Sequence, residues 1–135
     1  MREILFRGKR IDNGEWVEGY LFLITKHSVQ QKSLIPCIQV IYPNNLNHIS
    51  YEVIPESVGQ FTGRQDSSKI GNEVFEGDII ENCDTKLLEV VYWNEDESAW
   101  FCKYTDGNRT VSLSDSLGNL NEVIGNIHDN PELLK

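Results

Sequence analysis

The stretch that decides the fold reads Phe6-Arg7-Gly8-Lys9-Arg10-Ile11-Asp12-Asn13-Gly14-Glu15-Trp16-Val17-Glu18-Gly19-Tyr20. Asn13-Gly14 stands between two segments rich in strand formers. Asn-Gly accepts the positive φ angles of a type I′ turn, whose twist matches the strands it joins. The pattern predicts a hairpin with strands over residues 4–11 and 15–24. In the second strand Trp16, Glu18, Tyr20 and Phe22 share one face, and Val17, Gly19, Leu21 and Leu23 the other. Both faces are partly apolar, so this strand is expected to be covered on both sides.

Working outward, residues 25–33 are polar and read as a loop. Residues 34–41 are rich in branched apolar side chains and read as a strand, with Pro36 near its start or at a sheet edge. Residues 42–48, with Pro43-Asn44-Asn45, read as a turn, and 49–54 as a further strand. Pro55 opens one helical turn, since proline tolerates a first helical position. Residues 60–62 form a short strand between Gly59 and Gly63. The polar stretch 64–71 is the expected boundary of two subdomains. Beyond it Val74-Phe75-Glu76-Gly77-Asp78-Ile79-Ile80 is a turn feeding a strand. Residues 87–93 and 99–104 are strands joined by the acidic turn Asn94-Glu95-Asp96-Glu97. Further strands follow at 110–113 and 123–127, with a short helical turn over 114–120. Short strands with turns about every ten residues are the pattern of an all-β sandwich or barrel.

The chain has 135 residues and a net charge of -9. Residues 1–70 hold 8 basic and 7 acidic residues, whereas 71–135 hold 4 basic and 14 acidic ones. The second half therefore repels phosphate backbones and anionic lipid, because both bind through Lys and Arg. It suits a basic partner surface, or mimicry of DNA before a DNA-binding protein. Arg7, Lys9 and Arg10 suit the acidic half of a neighbouring copy, which gives head-to-tail association. Solvation of an acidic face kept for solubility is the plain alternative.

After Met1-Arg2-Glu3 only Ile4-Leu5-Phe6 precedes Arg7, too short for the apolar region of a secretory signal. Cys37, Cys83 and Cys102 are odd in number, widely spaced and without a CxxC pair. Reduced thiols in a cytoplasm are the expectation.

Five motifs run through the chain in one order. They are Phe6-Arg7-Gly8-Lys9, Trp16-Val17-Glu18-Gly19-Tyr20, Val58-Gly59-Gln60-Phe61-Thr62-Gly63, Phe75-Glu76-Gly77-Asp78-Ile79, and Val123-Ile124-Gly125-Asn126-Ile127-His128-Asp129-Asn130-Pro131-Glu132. Taken together the set resembles the YopX family of phage and prophage proteins. The resemblance implies a β-rich fold with an SH3-like barrel in the C-terminal part. It also implies carriage on a phage, prophage or mobile element of a bacterium. It implies no reaction.

Each candidate for chemistry has a structural reading beside it. Glu76 and Asp78 are a carboxylate pair, but a carboxylate after Gly77 more simply accepts backbone amides in a turn. Asn126 has the same local use at the closing strand. His27, His48 and His128 lack metal-ligand spacing. Cys83 and Cys102 sit in the acidic half, which raises a thiol pKa and blunts a nucleophile. No phosphate-binding glycine loop and no GxSxG occurs. No catalytic residue, metal ligand or cofactor is expected. Tyr92 and Trp93 are adjacent on a strand and point to opposite faces, so one of them suits an interface. The apolar strand 34–41 suits one too, if it lies at an edge.

The expected protein is mainly β. An irregular β subdomain over 1–65 is followed by an acidic SH3-like barrel over 70–128 and a tail over 129–135. Its expected work is that of a cytoplasmic, non-enzymatic accessory protein acting through protein contacts or homo-oligomerisation. Arg7, Lys9, Arg10, Trp16, Tyr92 and Trp93 are its expected interface residues. The alternative is a nucleic-acid-related module or an acidic DNA mimic.

Overall fold

The computed structural model describes residues 3–27, 32–40 and 49–135. The hairpin is present: β1 (Phe6–Lys9) pairs antiparallel with β2 (Trp16–His27), with Lys9 opposite Trp16. The turn is not type I′. Arg10 N donates to Glu15 O (2.9 Å) and Gly14 N to Arg10 O (3.0 Å), which closes a four-residue loop. Only Gly14 takes a positive φ (+73°). Asn13 acts instead through its side chain, accepting from Glu15 N at 2.9 Å. An asparagine side chain that bonds two residues on substitutes for a backbone turn, so the dipeptide keeps its turn role by a different geometry.

β3 (Lys32–Val40) follows β2, and β4 (Ile49–Glu52) pairs with Cys37–Val40 of β3. The expected loop over 25–33 is mostly strand, with His27 opposite Lys32; the turn itself and the expected turn over 42–48 lie outside the described residues. β3 is not an edge strand along Cys37–Val40, for it lies between β2 and β4 there. Pro36 sits one residue outside the β4 pairing, and its carbonyl accepts from Val53 N. The proline therefore interrupts no ladder bond to a strand on that side. Nor is β2 covered on both sides: Tyr20 and Leu23 are both more than half exposed.

Gly19 fixes how β2 meets β3. A Cβ there would overlap the Gln39 backbone carbonyl. The 3-10 turn at Pro55–Ser57 forms as expected, and Ser57 Oγ accepts from Lys9 N at 2.8 Å, tying it to β1.

β5 (Gly59–Gln65) pairs first with β1 and then with β6 (Glu73–Phe75). One antiparallel sheet thus has the order β4-β3-β2-β1-β5-β6. β7 (Asp78–Asn82), β8 (Leu88–Asn94), β9 (Ala99–Tyr104), β10 (Thr110–Ser112) and β11 (Asn121–Asn126) make the second, ordered β10-β9-β8-β7-β11. This is not the closed barrel expected: among the described residues β10 and β11 remain unpaired edges. Between them lies α1 (Leu113–Leu117), capped by Ser112 Oγ accepting from Asp115 N at 3.1 Å. Leu113 and Leu117, one helical turn apart, drop into a core with Val74, Ile80, Val91 and Cys102. The helix covers apolar residues that closing strand pairs would otherwise cover.

The chain divides into two compact units, Met1–Gln60 and Phe61–Lys135. The division falls inside β5, not in the polar stretch 64–71. That stretch is no linker, because buried Asp66 holds it. Asp66 Oδ1 accepts from Ser68 N (3.1 Å), Ser68 Oγ (2.6 Å) and Asn72 N (2.9 Å). Its Oδ2 accepts from Asn72 Nδ2 (3.0 Å) and Val123 N (2.9 Å). Burial pushes its pKa up, but these donors outweigh that and hold it below the ordinary aspartate value. Its contribution is full above the unfolded pKa of about 3.9 and is lost as pH falls through the folded value. Asp66→Asn would turn an amide against backbone donors. The expected cost at neutral pH is about 3 kcal/mol, shrinking in acid, as read by urea unfolding against pH.

Candidate functional site

In the first unit the pleat of the β1–β2 hairpin builds a cluster of cations on aromatic rings. Arg7 and Lys9, two apart, lie on one face with Glu18 and Trp16 opposite them. The Arg7 guanidinium stands 4.8 Å from the centre of the Trp16 ring and Lys9 Nζ 5.7 Å from it. Arg10 stacks on Tyr51 at 3.9 Å. Such contacts are attractive because the ring face carries the negative lobe of its quadrupole. Arg10 is also engaged by Asp12, with Nε–Oδ1 at 2.8 Å and Nη2–Oδ2 at 2.6 Å. That pairing raises the arginine pKa and lowers that of the aspartate, each chiefly through the shared hydrogen bond. A partner's carboxylate would have to displace Asp12 to use Arg10.

A cleft of about 440 Å³ opens beside this cluster, lined by Arg10, Glu15, Trp16, Glu18 and Tyr51 with Val17 and Val40. Among the described residues no cysteine, serine or histidine lines it. It offers two aromatic rings, a guanidinium and two carboxylates. Tyr51 and Val40 were not legible as site residues, because they reach the cleft from strands far along the chain; Glu15 and Glu18 flank Trp16 but carried no signal beyond hairpin alternation. Arg7, Lys9, Arg10 and Trp16, expected at an interface, are all in this unit.

Tyr92 and Trp93 belong to the second unit and take opposite faces of β8, as strand alternation requires. Tyr92 packs against Phe101 with ring centres 6.4 Å apart. Trp93 meets Trp100 edge-on at 5.1 Å and remains 36% exposed. It shares the inner face with Val91 but lies beyond the end of the core, next to the exposed acidic residues Glu95, Asp96 and Glu97.

The second unit also holds a buried polar group that the sequence reading missed. Glu89 is 1% exposed. Its Oε2 accepts from Asn121 Nδ2 at 3.3 Å, while Oε1 has no hydrogen-bond partner among the described residues. Asn121 Nδ2 also donates to Ser116 O (2.7 Å) and Oγ (2.9 Å). Burial raises the Glu89 pKa, against the opposing pull of the Ser116 hydroxyl and the Arg109 charge. Alternation in Glu89-Val90-Val91 was the available signal, since it puts Glu89 on the face of Val91.

The other nominees are structural. Asp78 is buried, and its Oδ2 accepts from Phe75 N at 2.7 Å. Asn126 Oδ1 accepts from His128 N (3.0 Å) and Asp129 N (2.9 Å). All three thiols are free. Burial, aided by the Glu89 charge, pushes Cys102 up to about 12. Burial also raises Cys37 and Cys83. A thiol so raised is protonated at neutral pH and is a poor nucleophile. Among the described residues no three His, Cys, Asp or Glu side chains converge on a metal position. None of the helices there is long and apolar enough to cross a membrane.

The fold is that of a mainly β protein of two antiparallel sheets, with a half-buried cation–aromatic cluster beside a cleft in the first unit. The YopX protein family model matches residues 5–135, so the chain belongs to the YopX family. No curated protein matches it.

Proposed function

We propose that this is a non-enzymatic accessory protein of a phage or prophage, acting in the bacterial cytoplasm through protein–protein contacts. The cation–aromatic cleft of the first unit carries this reading. It offers stacking surface and charge to a partner. The order of the five-stranded sheet supports a finer reading of the second unit as an SH3-like barrel left open, since its last strand returns beside its first after a short helix. Small barrels of that kind host many functions, so the fold adds no activity.

The test is capture of the tagged chain from phage-carrying cells at low salt, with stoichiometric companions identified by mass spectrometry. The expected result is a protein companion that is lost with Arg7→Glu/Lys9→Glu, in a variant whose β spectrum is unchanged. A companion retained by that variant overturns the role of the cation–aromatic cluster beside the cleft. Turnover of a small molecule by the isolated chain overturns the non-enzymatic reading. The exposed Glu95, Asp96 and Glu97 favour a second reading, an acidic mimic of nucleic acid. It predicts that the companion binds DNA and releases it when the chain is added.

A further inference from the structure

Beyond Phe22 opposite Cys37, β2 and β3 run on for five rungs, from Leu23–Pro36 to His27–Lys32, and no third strand joins them among the described residues. At about 3.4 Å per residue this ribbon extends about 17 Å. An isolated two-stranded ribbon is marginal in water at best, yet this one carries apolar residues on both faces. Leu23 and Leu34 share one face and are 56% and 61% exposed; Ile24 and Ile35 share the other. Lys32 lies on the leucine face, at the outer end. The inner rungs of the ribbon are thus apolar, and Lys26 and Lys32 stand among its outer described residues.

The chain itself presents the complementary surface. Trp93, exposed at the end of the core, is followed at once by Glu95, Asp96 and Glu97, all exposed. We infer that the β2–β3 ribbon is an arm that docks on a second copy of this chain, Leu23 and Leu34 against its Trp93 and Lys32 against its acidic turn. This goes beyond the protein-contact reading above, whose companion meets the cation–aromatic cluster and not the ribbon. Area argues that the exchange is reciprocal. A ribbon about 17 Å long and about 10 Å wide offers on the order of 200 Å² per face. A standard interface takes about 800 Å² per partner. One arm laid one way falls well short of that. Two arms exchanged about a two-fold axis bury on the order of 400 Å² per partner, the size of a weak, transient contact, and close the assembly at a dimer.

The experiment is sedimentation of the full chain over a range of concentration and salt. A dimer is expected at low salt, with its population falling as salt screens the ion pairs. Leu23→Lys/Leu34→Lys, substitutions at exposed positions, should give a monomer with an unchanged far-ultraviolet spectrum. Lys32→Glu should weaken the dimer at least several-fold, and combining it with Glu95→Lys/Glu97→Lys in one chain should restore it. A wild-type monomer at every concentration overturns the arm, as does a dimer indifferent to the leucine substitutions. Neither result touches the capture experiment, which reads companions other than the chain itself.

Discussion

Gly19→Val is expected to unfold the first unit. The Cβ it introduces would occupy the position of the Gln39 backbone carbonyl, and backbone cannot move aside as a flexible side chain can. Gly19 lies between two partner strands, opposite Phe6 on β1 while the next residue, Tyr20, pairs with Gln39 on β3. Relief would have to separate β2 from β3, the contact on which the first unit depends. The expected loss is about 4 kcal/mol, in the range reserved for disrupted backbone or core. A unit of this size commonly has roughly 3–9 kcal/mol in total, so the loss is comparable to the whole. Gly14→Ala is the control. Nothing lies within 4 Å of a Cβ there, and only the positive φ is strained. It should cost about 1 kcal/mol. Hydrogen exchange over residues 1–60 separates the two variants: protection should vanish in Gly19→Val and persist in Gly14→Ala. Equal protection in both would show that β2 and β3 can part without loss.

Glu89→Gln is expected to stabilise the second unit at neutral and higher pH and to leave it unchanged in acid. The carboxyl is buried against the Asn121 amide, the Ser116 hydroxyl of α1 and the Cys102 thiol, with Arg109 the charge that favours ionisation. Its folded pKa lies above the unfolded one, so its proton is held in the fold and released on unfolding. The stability this gives is full below the unfolded value of about 4.3 and is lost as pH rises through the folded value. The amide keeps the shape and removes the titration. The two proteins should therefore melt together near pH 4 and separate as pH rises. The gap is about 1.4 kcal/mol for each pH unit between the two pKa values. Parallel melting curves from pH 4 to 9 would show that Glu89 ionises in the fold at its ordinary pH, with a solvating partner for Oε1.

How far the sequence carries can be judged from single residues. β9, the 3-10 turn at Pro55 and the Asp78 cap follow from local chemistry: alternation, a proline at a first helical position, and a carboxylate after a glycine. Asn13-Gly14 set a hairpin but not its turn type, because the choice depends on how many rungs the strands close, and those stop at Lys9–Trp16. Stretch 64–71 reads as a subdomain boundary because it is polar, with Ile70 its one apolar side chain. Its order comes from Asp66, whose donor Val123 N is far along the chain. The cation–aromatic cluster was half legible. Arg7, Lys9 and Trp16 share a hairpin, while Tyr51 reaches Arg10 only through the sheet order.

By itself the sequence determined that the chain would be built of short antiparallel strands, that it would belong with YopX proteins, and that its negative charge would gather in the second half. These are properties of residue type and spacing, fixed before any distant segments meet. Only the tertiary structure decided that, among the described residues, the five-stranded sheet stays open, Glu89 is buried with one oxygen unbonded, and β2 and β3 outrun their neighbours with leucines exposed. Each of those depends on where one strand ends relative to another. Strand ends are set by packing and hydrogen bonding between residues remote in sequence, which no local pattern encodes.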